Sequence, residues 1–217
     1  MITQPDNTKI NAPVLYFLEG HYIFQYKEKG KKISKFVTAN DLVAAFSKVE
    51  VDSGWLSPGI VRTGLNANGA WFVYSAPVQK VSIILDREDS FDIPIPRTLL
   101  IGTGKKMYLF ALAVDHFSRD TLVYRAPFPN VYEDGRICWG QNAAPPVAVE
   151  KARQAWELFF TAPFNGNLVN GKCASSENDV RQLLRGLAEK NKFPLKELVR
   201  YRRNATVQAV VNEIIGA

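Results

Sequence analysis

Pro127-Phe128-Pro129-Asn130-Val131-Tyr132-Glu133-Asp134-Gly135-Arg136-Ile137-Cys138 sets a thiol eight positions beyond an asparagine, with an Asp-Gly turn between them. The chain has two cysteines in all, so neither belongs to a multi-thiol framework. A sulfur nucleophile and a carboxamide brought close by a turn are parts suited to acyl transfer. The thiol attacks an activated carbonyl, and the carboxamide donates to the oxyanion that develops. Read structurally, Cys138 is a small buried hydrophobe, the common fate of a free cysteine. Its place after an Asp-Gly turn and a Pro-Asn segment favours chemistry, because loops hold side chains poised by a scaffold rather than packed within it. Cys173 has no such setting. Asn130 also has a plainer role open to it, bonding nearby backbone to steady a turn, and the two roles are compatible.

From Leu122 to Cys138 the chain resembles the active-site segment of ubiquitin-conjugating enzymes, in which a strand runs into His-Pro-Asn, an Asp-Gly turn follows and Ile-Cys carries the thioester. Pro129 and Asn130 fall on the family's Pro-Asn, Gly135 on its turn glycine and Cys138 on its acyl-carrying cysteine. Phe128 stands where the family has histidine, which points to a bacterial, PRTRC system protein B-like branch lacking that residue. A looser likeness runs through Leu158 to Leu168, with Pro163 and Asn165 inside it, over the family's helix end and following loop. The resemblance implies an α+β fold: an antiparallel meander sheet with flanking helices. It implies a thioester on Cys138, with Asn130 bracing the loop and steadying the oxyanion during amine attack. The partners it implies are a ubiquitin-like protein and a ThiF-type adenylating enzyme, then a JAB-type peptidase and a ParB-like protein of the same gene cassette. No cofactor is required on this chain. Phe128 can only pack, so apolar contact must replace the bracing that an imidazole would give.

A thiol of ordinary pKa, about 8.5, is partly ionised near neutrality and exchanges with an incoming thioester without a strong base. Transfer onward needs the attacking amine to lose a proton, which Glu133 and Asp134 are placed in the loop to assist, although turn carboxylates are more often simply solvated. Pro129, Tyr132, Asp134, Gly135 and Trp139 join Phe128 as supports of the loop. Tyr132 and Trp139 either shield the thioester from water or pack the loop. A cysteine hydrolase would need a histidine beside the sulfur. The chain holds His21 and His116 alone, and His116 would reach Cys138 only if its loop folded back. Two histidines and two cysteines without short spacing also argue against zinc.

At 217 residues and 47% apolar content, the chain can form one generous domain or a core with appendages. Its longest apolar run, Met107 to Val114, falls short of the ~20 residues that cross a bilayer, and no charged-then-hydrophobic leader opens it. A cytoplasmic protein with free thiols and no membrane association is expected. The net charge of +6 gathers at Lys27, Lys29, Lys31, Lys32 and Lys35, and again at Lys190, Lys192, Lys196, Arg200, Arg202 and Arg203. Ordinary solvated surface accounts for both, and an acidic protein partner is compatible. Nucleic acid is the lesser candidate, since no stacking platform, zinc-finger spacing or RNP-like strand accompanies the charge.

Val14 to Leu18, His21 to Tyr26 and Lys32 to Val37 read as three strands with turns at Glu19-Gly20 and Lys29-Gly30. A helix is expected from Asn40 to Lys48, capped by Thr38 or Asn40, with Leu42, Val43 and Phe46 on one side, in the place of the conjugating fold's first helix. Ala70 to Tyr74, Val81 to Leu85, Thr98 to Ile101, Met107 to Val114 and Thr121 to Arg125 read as an antiparallel sheet. Asn66-Ala67-Asn68-Gly69 and Gly102-Thr103-Gly104-Lys105 are hairpin turns; the second lacks the spacing and the following helix of a phosphate loop. Val149, Ala152, Trp156, Phe159 and Phe160 predict a helix from about Pro146 that covers one sheet face. Ser176 with Asp179 reads as a capping pair for a helix carrying Val180, Leu183, Leu184 and Leu187 and ending near Lys190-Asn191. Pro194 and Asn204 start two more helical pieces. The expected division is an N-terminal β-meander extension over 1–37, a ubiquitin-conjugating-enzyme-like core over 38–170 and a C-terminal helical segment over 171–217.

The functional expectation is an acyl (aminoacyl) transferase that carries a ubiquitin-like modifier as a thioester on Cys138 and passes it to an amine or thiol. Two alternatives stay open. One is a noncatalytic variant of the fold that only binds the ubiquitin-like protein. The other is a basic module for DNA or plasmid maintenance, in which Arg200, Arg202 and Arg203 would bind duplex in a salt-dependent way.

Overall fold

A computed structural model describes residues 12–18, 21–46, 53–86 and 89–216. The chain divides into two compact units, Met1–Gly54 and Trp55–Ala217.

In the first unit, β1 (Val14–Leu18), β2 (His21–Glu28) and β3 (Lys31–Val37) form the expected antiparallel meander, with Tyr22 opposite both Phe17 and Val37. Helix α1 (Ala39–Phe46) follows. Thr38 is its cap: the Thr38 hydroxyl accepts from the Asp41 amide at 3.1 Å and the Asp41 carboxylate accepts from the Thr38 amide at 2.9 Å, a reciprocal arrangement that satisfies two amides otherwise left open. The Glu19-Gly20 turn, the Phe46 side chain and the helix end expected at Lys48 lie outside the described residues.

In the second unit, the strands of the main sheet carry apolar residues on both sides of the pleat, a pattern that demands cover on both faces. Five strands make it: β4 (Ile60–Asn66), β5 (Gly69–Ala76), β8 (Arg97–Thr103), β9 (Lys106–Leu112) and β10 (Val123–Arg125), in the order β10-β9-β8-β5-β4, all antiparallel. A separate hairpin, β6 (Gln79–Leu85) with β7 (Asp89–Ile95), is inserted between β5 and β8. Phe72, Tyr74, Leu100 and Leu109 face α2 (Ala152–Thr161) and bury Trp156, Phe159 and Phe160. Inside this layer the Trp156 indole donates to the Thr98 hydroxyl at 2.9 Å, so neither polar group is buried unpaired. The alternate residues Trp71, Val73, Leu99, Ile101, Phe110 and Leu112 meet Val207, Val210, Val211 and Ile215 of α4 (Val207–Ile215). Full burial of each such side chain contributes roughly 1.5–3 kcal/mol before entropy is counted, so a helix of α4's length docks through its apolar face rather than through propensity. The fold is therefore α+β, an antiparallel sheet flanked by helices, with added N- and C-terminal elements.

Several local expectations are corrected. β4 was not among the separately expected strands, and neither was β7, whose Pro94 argues against a ladder. β7 has β6 as its one neighbour, and an edge strand tolerates a residue with no N–H to give. Helix α2 does not begin near Pro146: Ala148 is extended (φ −142°, ψ 144°), and a short 3-10 turn over Val149–Lys151 leads in. Asp179 alone caps α3 (Val180–Gly186), accepting from the Arg181 amide at 3.0 Å, while Ser176 offers its carbonyl to the Asp179 amide. That helix ends at Gly186, short of Lys190-Asn191. A 3-10 turn does follow Pro194, but Thr206 rather than Asn204 caps α4. Gly102-Thr103-Gly104-Lys105 is the β8–β9 hairpin, with Gly104 at φ 59°. Among the described residues no helix is long and apolar enough to cross a membrane.

Candidate active site

Strand β10 lies on β9, with Val123 opposite Leu112 and Arg125 opposite Phe110, and delivers the chain into a buried Ala126–Pro129 stretch. Phe128 is fully buried, its ring centroid 5.0 Å from that of Phe160, 6.1 Å from Phe159 and 6.3 Å from Phe164. The loop is thus pinned by an aromatic cluster at the end of α2, where the expected apolar bracing falls.

Beyond it, residues 130–138 turn back as a tight hairpin. The Cys138 amide donates to the Asn130 carbonyl at 2.7 Å, the Tyr132 amide donates to the Arg136 carbonyl at 2.8 Å, and Val131 pairs with Ile137 between them. This register sets Asn130 directly opposite Cys138 at the mouth. Burial alternates accordingly: Val131 and Ile137 are inside, while Asn130, Tyr132, Arg136 and Cys138 are all partly exposed. The returning limb lies on β9, whose Leu109 amide donates to Gly135 and whose Met107 carbonyl accepts from Ile137, each at 2.8 Å. Gly135 is required by geometry: at φ 86° a side chain is strained, and a Cβ would stand 2.3 Å from the Phe110 ring. Asn130 takes φ 60°, which asparagine tolerates better than most residues.

Asn130 is held by the loop after α2. Its amide N–H donates to the Asn167 carbonyl at 3.4 Å, and its carboxamide nitrogen donates to the Pro163 carbonyl at 3.3 Å. A carboxamide nitrogen has two N–H groups, so one remains for a second acceptor. Tyr132 sits beside the thiol, and the neighbouring Cys138 raises the phenol's pKa above the usual range. The Arg136 guanidinium lies 4.4 Å from the centre of the Tyr132 ring. Asp134 is used in the turn, accepting from the Arg136 amide at 3.0 Å, and the Glu133 carboxylate projects into solvent 4.0 Å from Arg125. Trp139 is half-buried against the core, and its carbonyl accepts from Asn142. Pro129 is buried.

His116 is exposed beyond Leu112, whereas Cys138 follows the Met107–Ile137 contact at the other end of β9. A strand of that length, at about 3.3 Å per residue, keeps the imidazole from serving the sulfur as a base. Cys138 and Cys173 are both free thiols. Cys173 is buried, which raises its pKa, and its thiol donates to the Ser176 carbonyl. Among the described residues no three His, Cys, Asp or Glu side chains gather as metal donors would. Of the C-terminal cations, Arg200 lies on the Tyr124 ring and Arg202 makes paired bonds to Glu213.

Sequence reasoning missed Lys172. It is 2% exposed, and its ammonium donates to the Val131 carbonyl at 2.5 Å and the Tyr132 carbonyl at 3.4 Å. It borders a cavity of about 340 Å³ shared with Val131, Glu133 and Asn167. Burial, with Arg125 adding to it, brings its pKa down to about 8. One lysine among 27 basic residues carries no pattern that marks it in advance. Tyr201 was also missed; its hydroxyl donates to the Asp134 carbonyl at 3.4 Å, while its ring lies 4.9 Å from that of Phe110.

The model of prokaryotic E2 family D matches residues 32–201, most of the chain. The protein belongs to prokaryotic E2 family D. The matched region holds the whole 130–138 hairpin, α2 and Lys172, and leaves β1, β2 and α4 outside. Membership in family D, a PRTRC system protein B-like group, carries a ubiquitin-conjugating-enzyme-like fold, with which the antiparallel sheet and its flanking helices agree. No curated protein and no solved structure matches the chain.

Proposed function

We propose that this family D protein is an acyl transferase of the cytoplasm that carries the C-terminal acyl group of a ubiquitin-like protein as a thioester on Cys138. The observation that supports it is the hairpin register that sets a partly exposed thiol opposite Asn130. In the first step the Cys138 thiolate adds to the carbonyl of a thioester on a ThiF-type adenylating enzyme. The tetrahedral intermediate collapses, that enzyme's thiolate leaves and takes up a proton, and the modifier rests on Cys138. In the second step an amine adds to the new thioester and gives a proton to water or a loop carboxylate. The Cys138 thiolate then leaves, and an amide remains. The free N–H of the Asn130 carboxamide steadies the oxyanion in both steps. Tyr132, beside the thiol, limits water there, and Phe128 replaces imidazole bracing with aromatic packing. A JAB-type peptidase and a ParB-like protein belong to the same proposed set of partners.

The test is incubation with the cognate adenylating enzyme, the ubiquitin-like protein and ATP, followed by a search for a thiol-sensitive adduct that Cys138→Ala abolishes. A second reading draws on Phe128, which leaves the loop without an imidazole: a protein that presents the modifier without accepting it. That protein would bind the ubiquitin-like partner and form no adduct.

A further inference from the structure

We infer that Lys172 is a positioning residue for the Asn130–Cys138 hairpin, acting as a buried cation that grips two consecutive carbonyls of its outgoing limb. The inference rests on the thioester reading for its catalytic consequence, though not for its geometry. The Lys172 ammonium donates to Val131 and Tyr132, the two residues next to Asn130, from beneath the loop, and it is 2% exposed. Those residues are half of the register that brings Asn130 opposite Cys138: Val131 pairs with Ile137, and Tyr132 bonds Arg136 through its amide. Tyr132 also lies beside Cys138. Pulling on its carbonyl therefore sets both the mouth of the hairpin and the phenol beside the sulfur.

The ammonium form matters because charge-assisted hydrogen bonds are roughly twice as strong as neutral ones. Charged neighbours act on it from two elements. Arg125, on β10, disfavours its proton; Glu133 and Asp134, in the loop, favour it. Burial and Arg125 prevail and bring the pKa to about 8, so the grip loosens just above neutrality. An amine at the same place has fewer and weaker donors for two carbonyls.

The full-length protein and its Lys172→Met and Lys172→Arg variants test this, with melting temperature confirming that each is folded. The first measurement is the carbonyl carbon shift of Val131 and Tyr132 against pH. In the wild type both should move together with the Lys172 side chain near pH 8, and neither should step in Lys172→Met. The second is single-turnover discharge of the Cys138 thioester to free lysine. Lys172→Met should be slower at neutral pH by about tenfold or more, since misplacing reacting groups by ~1 Å costs on the order of 100-fold. Wild type relative to Lys172→Arg should fall as pH passes about 8, because arginine keeps its charge. Carbonyl shifts indifferent to pH, or equal pH profiles for wild type and Lys172→Met, overturn the inference. A wild type that forms no adduct removes the thioester reading instead, and a carbonyl step that persists there still assigns Lys172 the grip on the loop.

Discussion

The Cys138 amide donates to the Asn130 carbonyl at 2.7 Å, closing a hairpin whose two end residues are the proposed nucleophile and the proposed oxyanion donor. One backbone bond thus couples the chemistry of the site to its folding. Whatever loosens the hairpin disturbs the register that sets Cys138 opposite Asn130.

Removing the carboxamide tests the pairing. Asn130→Ala should leave a folded protein whose thioester discharges to amines about 100- to 1,000-fold more slowly, the usual effect of losing one oxyanion donor. Single-turnover loading and discharge, measured separately, check it. Equal discharge rates for variant and wild type would leave the Asn130 carboxamide only its bond to Pro163.

Phe128 gives the opposite kind of test. Phe128→Ala should cost about 3–5 kcal/mol in urea unfolding, because the ring is fully buried among Phe159, Phe160 and Phe164. Phe128→His, which restores the residue that ubiquitin-conjugating enzymes carry, should also destabilise, since an imidazole buried without a partner costs about 1–3 kcal/mol. A His variant as stable as the wild type would contradict this reading of the aromatic cluster.

Gly135 marks where the hairpin admits no side chain. Gly135→Ala places a Cβ 2.3 Å from the Phe110 ring at φ 86° and should destabilise by about 1–3 kcal/mol from backbone strain, with more from the clash. Thermal unfolding reads that loss. The rate of Cys138 alkylation by iodoacetamide should change in the same variant, because the returning limb must shift.

Lys172 predicts a pH dependence of stability with a definite sign. Its pKa is lowered from 10.5 to about 8 in the folded chain, so between those values the unfolded state binds more protons and stability rises with pH. Below about 8 the buried ammonium imposes its full cost, and above 10.5 none remains. Urea unfolding of wild type against Lys172→Met should show their difference shrinking across that window. Conjugation by wild type relative to Lys172→Arg should fall over its lower part, so stability and this activity ratio move in opposite directions.

The hairpin segment was the legible part of this chain, because turn residues and a thiol occupy fixed offsets in it. Strand periodicity was legible too: Trp71 to Tyr74 alternate between two cores, and β5 lies where it was expected. The misreadings have separate causes, one set by sheet position and the others by local backbone geometry. β7, absent from the expected strands, has one neighbour, and that edge setting admits Pro94. Pro146 does not start α2, since helical geometry begins only after Ala148. Asp179, not Ser176, caps α3, where its carboxylate also binds the Arg181 side chain. Lys172 was invisible for a further reason. A buried lysine differs from a surface one by what surrounds it, and here that is a loop some 40 positions away in sequence.

The most direct measurement is the intact mass of the chain after reaction with its adenylating enzyme, the ubiquitin-like protein and ATP. The account predicts one added modifier, released by thiol, absent in Cys138→Ala and thiol-resistant as an ester in Cys138→Ser. No added mass on the wild type, or the same adduct on Cys138→Ala, would contradict it.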